Sequence, residues 1–237
     1  MSLKIYIKQP PRDLIKEKRK DRFFALSISS IGLAAILFAL APSLIWQIKV
    51  ASRINNTTND SPIPQGQVLS QKVILEKNVQ IIENPDGFSF FSTDYKPNTP
   101  RPEEFLLTVP KLKIKNAKVL VDDLNFYTNL SHFPGSALPG EIGNSFITGH
   151  SVLPQFNDPE NYKAIFTKLS DLEVGDVVYA TQDGNTYKYV VQYSKIVSPK
   201  DVSVLLPISQ NGKNLTLMTC VPPGSSTKRL VVITSLI

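Results

Sequence analysis

The chain has 237 residues, 42% of them hydrophobic, and a formal net charge of +6. That length and composition allow one core of ordinary size plus flanking segments. The charge does not describe a nucleic-acid-binding surface, because residues 1–22 alone hold eight Lys and Arg against three acids, a net of +5, and leave the other 215 residues at +1.

The basic tail, residues 1–22, ends where an uncharged stretch begins, Phe23 to Ile48, reading FFALSISSIGLAAILFALAPSLIWQI. Twenty-six uncharged residues are enough to cross about 30 Å of hydrocarbon as a helix. Trp46 sits near the far end, where an interfacial aromatic belongs. The Lys/Arg-rich side predicts a cytoplasmic amino terminus and an extracellular remainder, a single-pass anchor in the cell membrane. No second hydrophobic span follows, so the anchor is expected to be amino-terminal only. A cleaved signal peptide is the competing reading. It is disfavoured because the apolar core exceeds the ~7–15 residues of a signal h-region and no small-x-small cleavage site follows it.

Residues 49–102 are expected to form an extracytoplasmic linker that leads into a lid or packing segment. From Val50 to about Gln67 the composition turns to Asn, Thr, Ser and Pro, too polar to bury a core of its own. Residues 68–82 read as a short helix or a pair of strands, and Asn84-Pro85-Asp86-Gly87 is a turn signal. Phe88, Phe90, Phe91 and Tyr95 follow. They either pack on the domain or form a mobile cover over an active site.

From residue 103 to 237 short β runs alternate with turn residues, the pattern of a small barrel or sandwich. Strands are predicted at 105–109, 118–121, 145–148, 177–182, 186–197, 215–219 and 230–236. Asp183-Gly184 is read as a tight hairpin turn, and 162–169 (YKAIFTKL) as the one helix of the region. The fold class is therefore mainly β.

Cys220, the single cysteine, closes the run Leu215-Thr216-Leu217-Met218-Thr219-Cys220. Outside the cell a lone thiol has no intramolecular disulfide partner and is a candidate nucleophile. Alternation puts Thr216, Met218 and Cys220 on one face and Leu215, Leu217 and Thr219 on the other. If the leucines face the core, the thiol projects from the outer wall. The same alternation groups Phe146, Thr148 and His150. A thiolate needs a cation nearby, and Arg229 enters the β-forming run Leu230 to Thr234, where a guanidinium could hold an oxyanion. The bland alternatives are a buried small hydrophobe, a structural histidine and a solvated edge arginine that contributes little to folding. No zinc spacing links Cys220 to His132 and His150, and no phosphate loop, dinucleotide fingerprint or G-x-S-x-G elbow is present.

At residues 103–237 the chain resembles the sortases, the cell-surface cysteine transpeptidases of bacteria. The pieces that carry the resemblance stand in family order: LTVPKLKIKNAKV, HFPGSALPGEIGNSFITGHS, IFTKLSDLEVGDVVY, LTLMTCVPP and TKRLVV. The resemblance implies an eight-stranded β-barrel with short helices and an active site of His150, Cys220 and Arg229. The thiolate would cleave an LPxTG-like sorting motif of a surface protein through a thioester. An amine of a cell-wall precursor or a pilin would then accept the acyl group. By the same resemblance His150 is the general acid and base and Arg229 the oxyanion partner. Thr219 shapes the substrate site, and His132 is structural or accessory. No cofactor and no metal site carries over, calcium included. Asp94-Tyr95-Lys96-Pro97 only echoes the lid motif of pilus-polymerising sortases. The competing functions are a sortase-fold protease that hydrolyses its acyl-enzyme and a non-catalytic, membrane-tethered binding module.

Overall fold

The computed structural model describes residues 12–57, 79–83, 89–94, 100–209 and 211–237. The predicted turn at 84–87, Phe88, the segment Tyr95-Lys96-Pro97 and all of 58–78 lie outside the described residues. Two compact units result, Met1–Leu44 and Ile45–Ile237.

The first unit holds most of α1 (Arg12–Trp46). Phe23, Ile28, Ile36 and Leu33 project outward at roughly 0°, 140°, 220° and 280° around the helix, so it is apolar on all sides. The Ser27 and Ser30 hydroxyls donate to the carbonyls of Phe23 and Leu26, four residues back, which satisfies them without water. Among the described residues this is the one helix long and apolar enough to cross a membrane.

In the second unit the helix continues through a π turn (Gln47–Ala51) into α2 (Ser52–Thr57). The linker was expected to start at Val50, but the helix persists seven residues further, to Thr57. Extending an existing helix costs little, and Ile54 is buried with the barrel core while Arg53 donates to the Ser170 carbonyl (2.6 Å) and Glu173 (3.1 Å).

The remaining strands are β1 (Gln80–Glu83), β2 (Ser89–Ser92), β3 (Glu104–Val109), β4 (Ile114–Leu120), β5 (Leu130–His132), β6 (Gly143–Thr148), β7 (Val177–Gln182), β8 (Asn185–Val197), β9 (Lys213–Val221) and β10 (Lys228–Leu236). The first two form a separate antiparallel pair. The other eight close into a barrel in the order β10-β8-β7-β3-β4-β5-β6-β9. Asp183 and Gly184 both adopt positive φ (50° and 78°), which makes the β7–β8 turn the tight hairpin their residue types favour.

Two apolar clusters account for the alternation along the strands. Leu215, Leu217, Val221, Leu230 and Val232 fill the barrel interior together with Leu107, Ile147 and Val178. Met218, Val231 and Ile233 face the other way and join Phe91, Phe133, Phe146, Val202, Val204 and Leu205 outside it. Cys220 and Arg229 follow the parity of this outer set.

The helix expected at 162–169 does not form; the segment is a series of turns ending in a 3₁₀ turn, Leu169–Asp171. The Phe166 N–H, which an α-helix would bond to Tyr162, instead donates to the carbonyl of His150 at 3.0 Å. The Tyr162 hydroxyl accepts from the Lys118 N–H at 2.9 Å. Tertiary bonds thus override a helical pattern, and the segment they hold braces the loop that carries His150.

Candidate active site

Cys220 lies near the carboxyl end of β9, half-buried, directly opposite Arg229 in the antiparallel β9–β10 ladder. Directly opposed residues of an antiparallel pair share a face of the sheet, so thiol and guanidinium emerge side by side on the outer wall. The reason is local: Pro222 to Thr227 turn the chain back, and the pairing runs on from Lys228–Val221 to Ser235–Asn214 without a shift. Arg229 is only 2% exposed, so it is not an edge residue on the rim. Its Nη1 donates to the carbonyls of Ser226 (2.7 Å) and Lys228 (3.1 Å), which anchor the head group at the strand entrance.

His150 arrives from β6, which pairs in parallel with β9 from Gly143–Lys213 to Thr148–Met218. Beyond the last pair three bonds continue the contact. The Gly149 N–H donates to the Met218 carbonyl (3.1 Å), the Thr219 hydroxyl to the Gly149 carbonyl (2.8 Å) and the Ser151 hydroxyl to the Cys220 carbonyl (2.7 Å). The histidine is therefore clamped between two residues that are each tied to the end of β9. Gly149 is required by close approach: a Cβ there would lie 2.6 Å from Leu130 Cδ2 and from Phe166 Cδ2, both in the packed interior. The Val152 N–H adds a bond to Thr167 Oγ1 (3.0 Å), tying the loop to the turn segment.

Cys220 and Arg229 border a cleft of about 480 Å³, its open mouth included, lined also by Gly149, Thr148, Met218 and Phe126 among others, but not by His150. Phe90 and Phe91 of β2 also line it, and Phe91 is 5% exposed and packed with Phe133 and Phe146. Phe90 and Phe91 of the upstream aromatic segment thus form part of the cleft wall. Thr219 forms part of the cleft wall, but its hydroxyl is committed to Gly149 and serves to hold the histidine loop.

The electrostatics favour neutral groups at rest. Burial pushes the Cys220 thiol above its ordinary pKa, and the neighbouring Arg229 opposes this. Burial, aided by Lys163, moves the His150 imidazole below its ordinary value. At neutral pH the resting pair is therefore thiol and imidazole, and Arg229 supplies the field that favours a thiolate when one forms.

His132 is fully buried in β5 and is not among the cleft-lining residues. With Ser136 Oγ 2.9 Å from its Nε2 and Asp122 Oδ1 3.8 Å from its Nδ1, it has the outline of a serine triad. The hydrogen bonds exclude a base role. Nε2 also meets the Ala137 carbonyl at 2.9 Å, which can only accept, so Nε2 carries the proton, while the Ser136 hydroxyl donates to the Phe133 carbonyl. Asp122 is engaged by Arg101 (3.1 Å) and the Gly135 N–H (3.0 Å). Burial pushes His132 down to about 4. It pins β5 to the 133–137 turn.

Several residues at the site were not read from the sequence: Phe126, Tyr127 and Ser151. The Phe126 and Tyr127 rings lie 4.4 and 4.9 Å from the His150 ring. The one local signal for them is the run Asp122-Asp123-Leu124-Asn125-Phe126-Tyr127-Thr128-Asn129, whose Asp and Asn residues build a rigid turn.

The fold is thus a closed, mainly β barrel that sets Cys220 and Arg229 in one cleft, with the loop that carries His150 tied to the end of β9 beside them. Residues 107–237, more than half of the chain, match the family described as the sortase domain, and the chain belongs to the sortase family. It is 30% identical over 93 residues to sortase A of Listeria monocytogenes, an alignment that covers 38% of this chain and 37% of that protein. The chain thus matches little more than a third of the length of this curated relative. Among solved structures, sortase C-3 of Streptococcus pneumoniae is similar in fold, with a TM-score of 0.52, 24% identity and coverage of 73% of this chain and 81% of that one. A lid mutant of sortase A from Corynebacterium diphtheriae shares 30% identity, with a TM-score of 0.49 and coverage of 59% and 73%.

Proposed function

We propose that this chain is a membrane-anchored sortase that cleaves an LPxTG-like sorting motif through a thioester at Cys220 and transfers the acyl group to an amine. The single observation that carries the reading is the Cys220–Arg229 pairing on the outer wall, beside a loop that ties His150 to the end of β9. The amino-terminal helix supports the anchor, and the basic tail before it supports a cytoplasmic amino terminus with an extracellular catalytic domain.

In this mechanism the Cys220 sulfur attacks the threonine carbonyl of the motif, and its proton passes to His150. Arg229 binds the oxyanion of the tetrahedral intermediate. As the intermediate collapses, the carbon–nitrogen bond breaks and His150 gives the proton to the departing glycine amine, leaving a thioester. An incoming amine then attacks the thioester and loses a proton to His150; the carbon–sulfur bond breaks as the new amide forms, and His150 returns the proton to the Cys220 thiolate. The acceptor is an amine of a cell-wall precursor or a pilin. The β1–β2 pair serves as a cover: Phe90 and Phe91 line the cleft a sorting peptide must enter, so binding displaces them.

The test is to mix the detergent-solubilised chain with an LPxTG-type peptide, with and without a primary amine. A peptide–amine product and a covalent adduct absent in Cys220→Ala are expected. Free acid as the sole product at saturating amine would make the chain a hydrolase, and an adduct of the right mass on Cys220→Ala would sink the assignment of the nucleophile.

A further inference from the structure

We propose that Phe126 and Tyr127 are positioning residues that hold the His150 imidazole in its working plane. The inference rests on the reading of His150 as the general acid and base. A histidine in that role is ordinarily oriented by a hydrogen bond to its other ring nitrogen, from a carboxylate or a carbonyl. Among the described residues no such bond reaches the His150 ring, and its Nε2 is buried without a partner. Something else has to fix the ring, since the sp³–sp² torsion that sets its plane is broad.

Two aromatic rings contact it instead. Phe126 lies 4.4 Å from the imidazole centroid at 47°, and Tyr127 lies 4.9 Å away at 51°. The two rings are themselves parallel to within 4°, with centroids 6.2 Å apart, so they act as one surface. Phe126 lines the cleft, and Tyr127 stands on the open side with 61% of its surface exposed. Among the described residues the Tyr127 ring makes two ring contacts, with Phe126 and with His150.

The loop that presents the pair is built for rigidity. The Asp123 carboxylate accepts from the Asn125 N–H (3.2 Å), and the Asn125 side chain accepts from the Tyr127 N–H (3.1 Å). Asn129, buried beneath, donates to Asp123 Oδ2 (3.1 Å) and to the Asn125 carbonyl (2.9 Å), and the Ser131 hydroxyl bonds the Asp123 carbonyl. Successive Asx turns thus set the backbone at Phe126 and Tyr127, and the rings inherit that order.

Two consequences follow for catalysis. A fixed ring keeps its nitrogen aimed at the departing amine, where a misplacement of about 1 Å can cost on the order of 10² in rate. The aromatic wall also excludes water, the main cause of the lowered imidazole pKa. The charged and titratable groups that bear on the ring are Lys163 on the turn segment and the adjoining Tyr127 phenol. Of these, Lys163 adds to the downward shift and is unchanged in the Tyr127 variants, whereas the phenol hydroxyl is lost in all of them, so Tyr127→Phe separates the loss of the hydroxyl from the loss of the ring.

The experiment uses the full chain in detergent with Tyr127→Phe, Tyr127→Leu and Tyr127→Ala. Acylation kcat and KM are measured with an LPxTG-type peptide, and the His150 titration is followed by NMR of labelled histidine in a Cys220→Ala background. His132, the other histidine, is the internal control. Tyr127→Phe is expected within twofold of the parent. The leucine and alanine variants should lose tenfold or more in kcat with donor KM within twofold, and the His150 midpoint should rise toward the ordinary imidazole value in both. A kcat within twofold in Tyr127→Ala, or a His150 midpoint that does not move, overturns the proposal. An active His150→Ala would overturn the functional reading beneath it, whereas an inactive His150→Ala beside an undisturbed Tyr127→Ala overturns the positioning role alone.

Discussion

Replacing Arg229 separates charge, geometry and stability in one series. At the spacing of directly opposed strand neighbours, about 5 Å, a unit charge pair at an effective dielectric of about 20 is worth about 3 kcal/mol. That matches the ~2.7 kcal/mol behind a hundredfold change in rate. Arg229→Lys keeps the charge but loses the planar fork, and Arg229→Ala loses both, so acylation should fall by about 10² in the first and by at least as much in the second. Affinity for the sorting peptide should change much less, because the oxyanion exists only after attack.

Stability should respond as well, contrary to the expectation for an edge arginine, because the side chain is buried and its Nη1 serves two carbonyls. At about 1 kcal/mol net per bond, Arg229→Ala costs on the order of 1–2 kcal/mol, a few degrees in Tm. The thiol reports independently. Arg229 holds the Cys220 pKa down against burial, so in Arg229→Ala the pH midpoint for alkylation of Cys220 should move up. Acylation followed by mass spectrometry, thermal melts and alkylation rates against pH make up the assay. An unchanged acylation rate in Arg229→Ala would refute the reasoning, and the oxyanion would need another donor.

Two further outcomes are expected. His132 is buried neutral with its pKa lowered to about 4, so the unfolded chain binds the extra proton first as pH falls; stability should be full above about pH 6.5 and decline by on the order of 3 kcal/mol toward pH 4, measured by denaturant titration, and His132→Gln should flatten that decline. Protease added to protoplasts should digest the domain beyond Val50 and leave the chain membrane-bound. A soluble form starting near residue 50 would show a cleaved leader instead.

Much of this molecule is written in local pattern. The uncharged 23–48 stretch, the strands at 177–182 and 215–219 and the Asp183-Gly184 turn depend on composition and period-2 alternation, which act over a few residues. The same alternation put Cys220 on the outer face, since Leu215 and Leu217 alternate with Met218 whatever else the chain does. The lone thiol, His150 and Arg229 were legible as residue types suited to acyl transfer, and the ordered motifs tied them to a family.

What the tertiary structure decided is every relation that crosses a long stretch of chain. The parallel pairing of β6 with β9 joins segments about seventy residues apart and brings the His150 loop to Cys220. Burial of Arg229 depends on strands and loops that its own neighbours do not specify. Strand β5, three residues long, has too little sequence to declare a period, and exists because β4 and β6 offer it edges on both sides. The helical pattern at 162–169 lost to tertiary bonds, from the Phe166 N–H to the His150 carbonyl and from the Lys118 N–H to the Tyr162 hydroxyl. Local preferences are worth a few tenths of a kcal/mol per residue, whereas a buried hydrogen bond or a filled core position is worth one or more, so where the two conflict the contacts made by the closed barrel prevail.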